Sequence, residues 1–220
     1  MSASPDASAS PIGRLLRCAP VLPVLVVERL EDAVPLARTL VEAGLPVLEL
    51  TLRSDVALHA IERIAREVPD CVIGAGTVLD AAQLDAVQSA GARFAIAPGA
   101  TDALYRAAAS ARIPFLPAIA TASELMRGWE LGHRHFKFFP AESSGGPATL
   151  RALSGPFPQA RFCPTGGIDA ARAPAYLALD CVLTVGGSWM VPPAALAERD
   201  WPQIRRLAAA AAALNPVAAR

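Results

Sequence analysis

Val47-Leu-Glu-Leu-Thr-Leu52 is followed by an amphipathic stretch, Asp55 to Glu67, which ends at Pro69 and gives way to Cys71-Val-Ile-Gly-Ala-Gly-Thr-Val78. A short alternating run, a helical pattern and a second apolar run make one strand–helix–strand unit. The unit repeats along the chain. Further apolar runs stand at Val21–Val27, Phe94–Pro98, Phe115–Ala120, His135–Pro140, Arg161–Thr165 and Cys181–Val185. Helical patterns lie between them, as in Glu31–Ala43, Ala81–Ala90, Asp102–Ala111, Ala122–Leu131 and, last, Trp201–Leu214. Gly44, Gly91 and Gly132 follow three of these as C-cap candidates. Strands joined by helices run parallel with right-handed crossovers. Eight units in one chain of 220 residues predict a single-domain (β/α)8 TIM barrel. A doubly wound sheet is the alternative. Ser10–Cys18 is expected to form a short N-terminal helix closing the barrel bottom, with residues 1–10 a disordered tail and 11–220 the domain.

Composition excludes several function classes. Twenty acidic and twenty basic residues cancel, so nothing in the charge favours nucleic acid or an anionic membrane. The apolar run Cys18–Val27 is about half of what a bilayer span needs. The polar opening residues are not expected to form a secretory signal. Cys18, Cys71, Cys163 and Cys181 lack CxxC spacing, and the last three sit in apolar runs. They are expected to be reduced thiols of a cytoplasmic protein. His133 and His135 have no nearby partner to complete a metal site, and no metal is expected.

Two strands break the rule that barrel strands read as nearly continuous hydrophobe. In residues 48–53, Leu48, Leu50 and Leu52 share one parity and Glu49, Thr51 and Arg53 the other. Because side chains alternate faces, the three polar groups are expected to point into the barrel. The bland alternative is a buried Glu49–Arg53 ion pair that only props it. In His135-Phe-Lys-Phe-Phe139, Phe136 and Phe138 face one side and Lys137 the other. Lys137 is the single lysine among twenty basic residues. Arginine holds charge equally well, but it cannot lose its proton and attack a carbonyl. A desolvated lysine beside a cation such as Arg53 gives up its proton more readily. Lys137 is therefore expected to form a Schiff base. Strand seven ends in Thr165-Gly166-Gly167 and strand eight in Gly186-Gly187-Ser188. Barrels of this type bind phosphate in the loops after these two strands, through backbone N–H groups, and the same is expected here.

Two long motifs then resemble the class I aldolases that cleave 2-keto-3-deoxy-6-phosphogluconate (KDPG), with their 4-hydroxy-2-oxoglutarate (KHG) aldolase relatives. They are Gly44-Leu-Pro-Val-Leu-Glu49-Leu-Thr-Leu-Arg53 and Gly132-His-Arg-His-Phe-Lys137-Phe-Phe-Pro-Ala-Glu-Ser-Ser-Gly145. Gly74-Ala-Gly-Thr77, Ala97-Pro98-Gly99, Phe162 to Gly167 and Gly186-Gly-Ser188-Trp support them. The resemblance implies a homotrimeric aldehyde-lyase of the Entner–Doudoroff route, needing no cofactor beyond a lysine imine. It makes Lys137 the imine former and Glu49 the proton shuttle. Arg53, Thr77 and Pro98 line a pyruvate pocket with Phe139 beside the imine, while Thr165, Gly166, Gly167, Gly187 and Ser188 receive the phosphate. Ala118 stands where the family pattern has glycine, which bears on substrate preference. The rival readings are an aldolase for an unphosphorylated 4-hydroxy-2-oxo acid and a phosphate-binding barrel isomerase or epimerase.

Overall fold

The computed structural model describes residues 10–214; the expected tail, apart from Ser10, lies outside the described residues. Its strands are β1 (Val21–Leu25), β2 (Val47–Thr51), β3 (Val72–Gly76), β4 (Ala95–Ile96), β5 (Phe115–Leu116), β6 (Ala118–Ile119), β7 (His135–Phe138), β8 (Arg161–Pro164) and β9 (Val185–Gly187). All pairings are parallel. One sheet has the order β5-β4-β3-β2-β1-β9 and a second the order β6-β7-β8. The expected strand at Phe115–Ala120 is thus interrupted at Pro117, which has no N–H to donate to a ladder. Single bridges, Phe162 to Val182 and Thr165 to Gly186, link the second sheet to the segment of β9. The chain is an α/β fold with a parallel sheet curved as in barrel proteins.

The helices are α1 (Pro11–Leu16), α2 (Ala33–Glu42), α3 (Ala57–Glu67), α4 (Ala81–Ser89), α5 (Asp102–Ala109), α6 (Ala122–Glu130), α7 (Gly146–Ser154), α8 (Ala173–Leu177), α9 (Pro193–Ala197) and α10 (Trp201–Ala212). Capping side chains set several of their starts. Asp80, Thr101 and Asp200 each accept from a backbone N–H three residues on, and Thr121 with Glu124 forms a capping box. Gly44, Gly91 and Gly132 end α2, α4 and α6 at φ between 90° and 94°, where a side chain would be strained. Among the described residues, no helix is long and apolar enough to cross a membrane.

Strand alternation divides the apolar residues into two cores. Leu48, Leu50, Phe136, Phe138 and Phe162 face the helices in the larger one. Each such fully buried side chain contributes roughly 1.5–3 kcal/mol. The opposite parity supplies Leu22, Val47, Ile96, Leu116 and Cys163, which meet inside the curve of the sheet. Phe94 joins them, its ring occupying the space above Gly74, where a Cβ would come within 2.3 Å of it. Ile12 and Leu16 of α1 seal this inner cluster from below. Ser10 accepts from Gly13 N and so caps the sealing helix, and its Oγ lies 3.3 Å from Nδ1 of buried His135. The apolar inner floor leaves the polar side chains of the same faces to gather one layer higher.

Candidate active site

That layer is built around two charges. Glu49 leaves β2 and Lys137 leaves β7, both toward the interior, and they are 0% and 5% exposed. Lys137 Nζ donates to Glu49 Oε1 at 2.8 Å and to Oε2 at 3.2 Å. A pair this deep persists only because each charge answers the other. Thr51, two residues along β2, donates to the Leu25 carbonyl at 2.9 Å. Cys163 is the register partner of Lys137 on β8, and burial pushes its thiol up to about 12 despite the nearby ammonium. It remains a protonated wall atom. Phe139 stands just beyond the strand, its ring centroid 5.6 Å from the ammonium.

Arg53 corrects the expectation from parity. β2 ends at Thr51, the chain turns through residues 52–56, and Arg53 is exposed. It forms no hydrogen bond or ion pair among the described residues, so the Glu49–Arg53 pair is absent and the neighbour of the lysine is a carboxylate. The alternation of a strand ceases to position a side chain once the strand has ended. Thr77, directly after β3, has φ of 59°, an uncommon conformation for a β-branched residue, and such strain costs about 1–3 kcal/mol. Pro98 follows β4 by two residues and is half-buried.

Glycines make room for the pair in ways that local patterning did not disclose. A Cβ on Gly76 would lie 2.2 Å from Glu49 Oε1 and 2.7 Å from its Cγ. A Cβ on Gly186 would meet Thr165 Oγ1 at 2.1 Å. Glycine inside a strand is the general signal for such close approaches. Gly166 and Gly167 have φ of 107° and 76°. Their N–H groups donate to no acceptor among the described residues. Ser188 is exposed beside Gly187, while Thr165 is buried. A separate cavity of about 330 Å³, lined by Tyr105, Arg106, Arg127 and His133, is bounded by α5 and α6, whereas Lys137 and Glu49 lie inside the sheet.

The site thus joins a buried amine in contact with a carboxylate to a turn whose N–H groups are free among the described residues. The family model for KDPG and KHG aldolases matches residues 12–207. The chain belongs to the KDPG and KHG aldolase family. It is 54% identical over 194 residues to the KHG/KDPG aldolase of Escherichia coli K12, covering 88% of this chain and 91% of that protein. The KDPG aldolase of Legionella pneumophila, solved with pyruvate captured as a covalent carbinolamine, superposes with a TM-score of 0.91. It is 47% identical and the match covers 93% of this chain and 99% of that one. The Zymomonas mobilis enzyme solved with 3-phosphoglycerate has a TM-score of 0.91 at 46% identity, covering 96% and 99%. For a KDPG and KHG aldolase, a covalent carbinolamine requires an amine. Lys137 is the only lysine of this chain.

Proposed function

We propose that the chain is a class I aldolase that cleaves KDPG to pyruvate and glyceraldehyde 3-phosphate, and KHG to pyruvate and glyoxylate. The observation that carries this is the Lys137–Glu49 contact at 2.8 Å, deep inside the sheet. Glu49 is placed to take the ammonium proton, freeing the amine of Lys137 to attack the C2 ketone. The carbinolamine then loses water, with Glu49 returning the proton, to give a protonated imine. That cation draws the electrons of the C3–C4 bond as the C4 hydroxyl loses its proton, so the aldehyde departs and an enamine remains. Protonation at C3 and hydrolysis of the imine release pyruvate and restore the lysine. The lysine imine replaces any metal or organic cofactor as the electron sink.

In this reading Arg53 reaches back from solvent to the substrate carboxylate, Thr77 and Pro98 border the pyruvyl group, and Phe139 packs beside the imine. Gly166, Gly167, Gly187 and Ser188 receive the phosphate, with Thr165 packed beneath them. The unpartnered N–H groups of the two left-handed glycines support the phosphate end, since successive free N–H groups make an anion-binding concavity. We also read the two sheets as one closed (β/α)8 barrel; residues 215–220 of the expected domain lie outside the described residues. β5 and β6 then form one strand broken at Pro117, and the Thr165–Gly186 and Phe162–Val182 bridges favour the remaining seam. Family likeness adds a cytoplasmic homotrimer working in the Entner–Doudoroff route, which light scattering on the purified protein tests for assembly. Borohydride reduction in the presence of pyruvate tests the chemistry: a reduced adduct on the Lys137 peptide is expected. Folded protein without one would move the isomerase reading ahead.

A further inference from the structure

The turn at Gly166–Gly167 is flanked by acid. Glu142, which follows the Lys137 strand, donates its N–H to the Gly166 carbonyl at 3.0 Å. Its side chain lies so close that a Cβ on Gly167 would come within 2.8 Å of Glu142 Cβ. Asp169 follows the turn by two residues, its Oδ1 accepting from the N–H groups of Ala171 and Arg172 at 3.1 and 2.9 Å. Two carboxylates beside a concavity of free N–H groups oppose the approach of a phosphate dianion.

One guanidinium answers both. Arg172 contacts Asp169 Oδ2 through Nη1 at 2.6 Å and Glu142 Oε2 through Nε at 3.3 Å. The same Nη1 donates to the Gly167 carbonyl at 3.4 Å. Glu142 is tied down from the other side by the hydroxyl of Tyr176, a fully buried ring of α8, which donates to Oε1. Burial and the carboxylate together hold that phenol well above its ordinary range, so it stays a donor. Among the described residues, no other basic side chain forms a hydrogen bond or ion pair with the turn, Glu142 or Asp169.

We propose that Arg172 is a specificity-determining residue for the phosphorylated substrate. By neutralising Glu142 and Asp169 against the Gly167 carbonyl, it lets a phosphate group settle on the glycine N–H groups. Tyr176 is the positioning residue that keeps Glu142 within reach of the guanidinium. The inference rests on the phosphate cradle proposed above and assigns its charge balance.

The experiment compares steady-state kinetics on KDPG and on unphosphorylated KHG for the wild type, Arg172→Ala, Tyr176→Phe and the double variant Arg172→Ala with Glu142→Gln. Arg172→Ala is expected to raise KM for KDPG about tenfold, the scale of one charge-assisted contact, with kcat retained. KM for KHG should move by less than about twofold, and Tyr176→Phe should give the same split in weaker form. Adding Glu142→Gln removes one unmasked charge and should recover much of the lost affinity. Pyruvate adducts trapped on each variant certify an intact site. Equal losses on both substrates, or none on either, would overturn the assignment. The cradle itself is read separately on the wild type. Absence of competitive inhibition by inorganic phosphate against KDPG would remove that premise before any variant is compared.

Discussion

Lys137 Nζ and Glu49 Oε1 stand 2.8 Å apart although 88 residues separate them in the chain. The contact gives the buried amine an acceptor for its proton. A guanidinium would bind the same carboxylate but could not become a nucleophile. Lys137→Arg should therefore keep the ion pair and most of the stability yet lose cleavage and pyruvate trapping altogether. Turnover assays with mass spectrometry after borohydride reduction check both halves of that expectation.

The inward direction of Glu49 and Lys137 was legible because strand alternation is a local property, and leucine and phenylalanine marked the opposite parity. Their mutual contact was not, since it depends on which strands face one another across the sheet. Arg53 shows the limit from the other direction. Its parity matched Glu49, but the strand ended first, and strand ends depend on the turn at residues 52–56 rather than on the alternation. The same limit hid Gly76, whose need to be glycine is set by a side chain on the neighbouring strand. Arg172 is not legible from sequence, because it follows the glycine turn by several residues and only the fold returns it to the Gly167 carbonyl.

Glu49→Gln retains the shape of the side chain and a hydrogen bond to Lys137 but cannot shuttle a proton. Loss of general acid–base help of this kind typically costs 10²–10⁴ in rate. A fall of about that size in kcat for KDPG is expected, with pyruvate imine still trapped slowly on Lys137. Unchanged turnover would leave Glu49 as an ion-pair partner alone. Stopped-flow measurement of adduct formation separates the two steps.

Gly76→Ala tests whether room for the carboxylate matters as much as the carboxylate. The added methyl would sit 2.2 Å from Glu49 Oε1, so the side chain or β3 must shift. Overpacking of this type costs about 1–3 kcal/mol in stability. Because the displaced group is the proton shuttle, kcat should fall by at least about tenfold in a protein that still folds and still binds pyruvate. Normal kcat in that variant would mean that Glu49 has a second working position.

His135 gives the fold a pH dependence of its own. It is buried at the start of β7, its Nδ1 is 3.3 Å from Ser10 Oγ, and its Nε2 meets no partner among the described residues. Burial, first, and then the neighbouring Arg161, Arg17 and His133 press its pKa down to about 4. An unfolded histidine titrates near 6.5, so between those two values the unfolded chain takes up a proton that the folded chain refuses. Stability from this residue is therefore fully present above about pH 6.5 and is lost as pH falls toward 4, by about 3 kcal/mol in all. His135→Leu fills the same apolar floor without a titrating group. Urea unfolding of both proteins at intervals from pH 7 to pH 4 should show the wild type losing that margin relative to the variant. Parallel curves would mean that the folded protein accepts the proton, with the α1 seal opening around Ser10 to hydrate the ring.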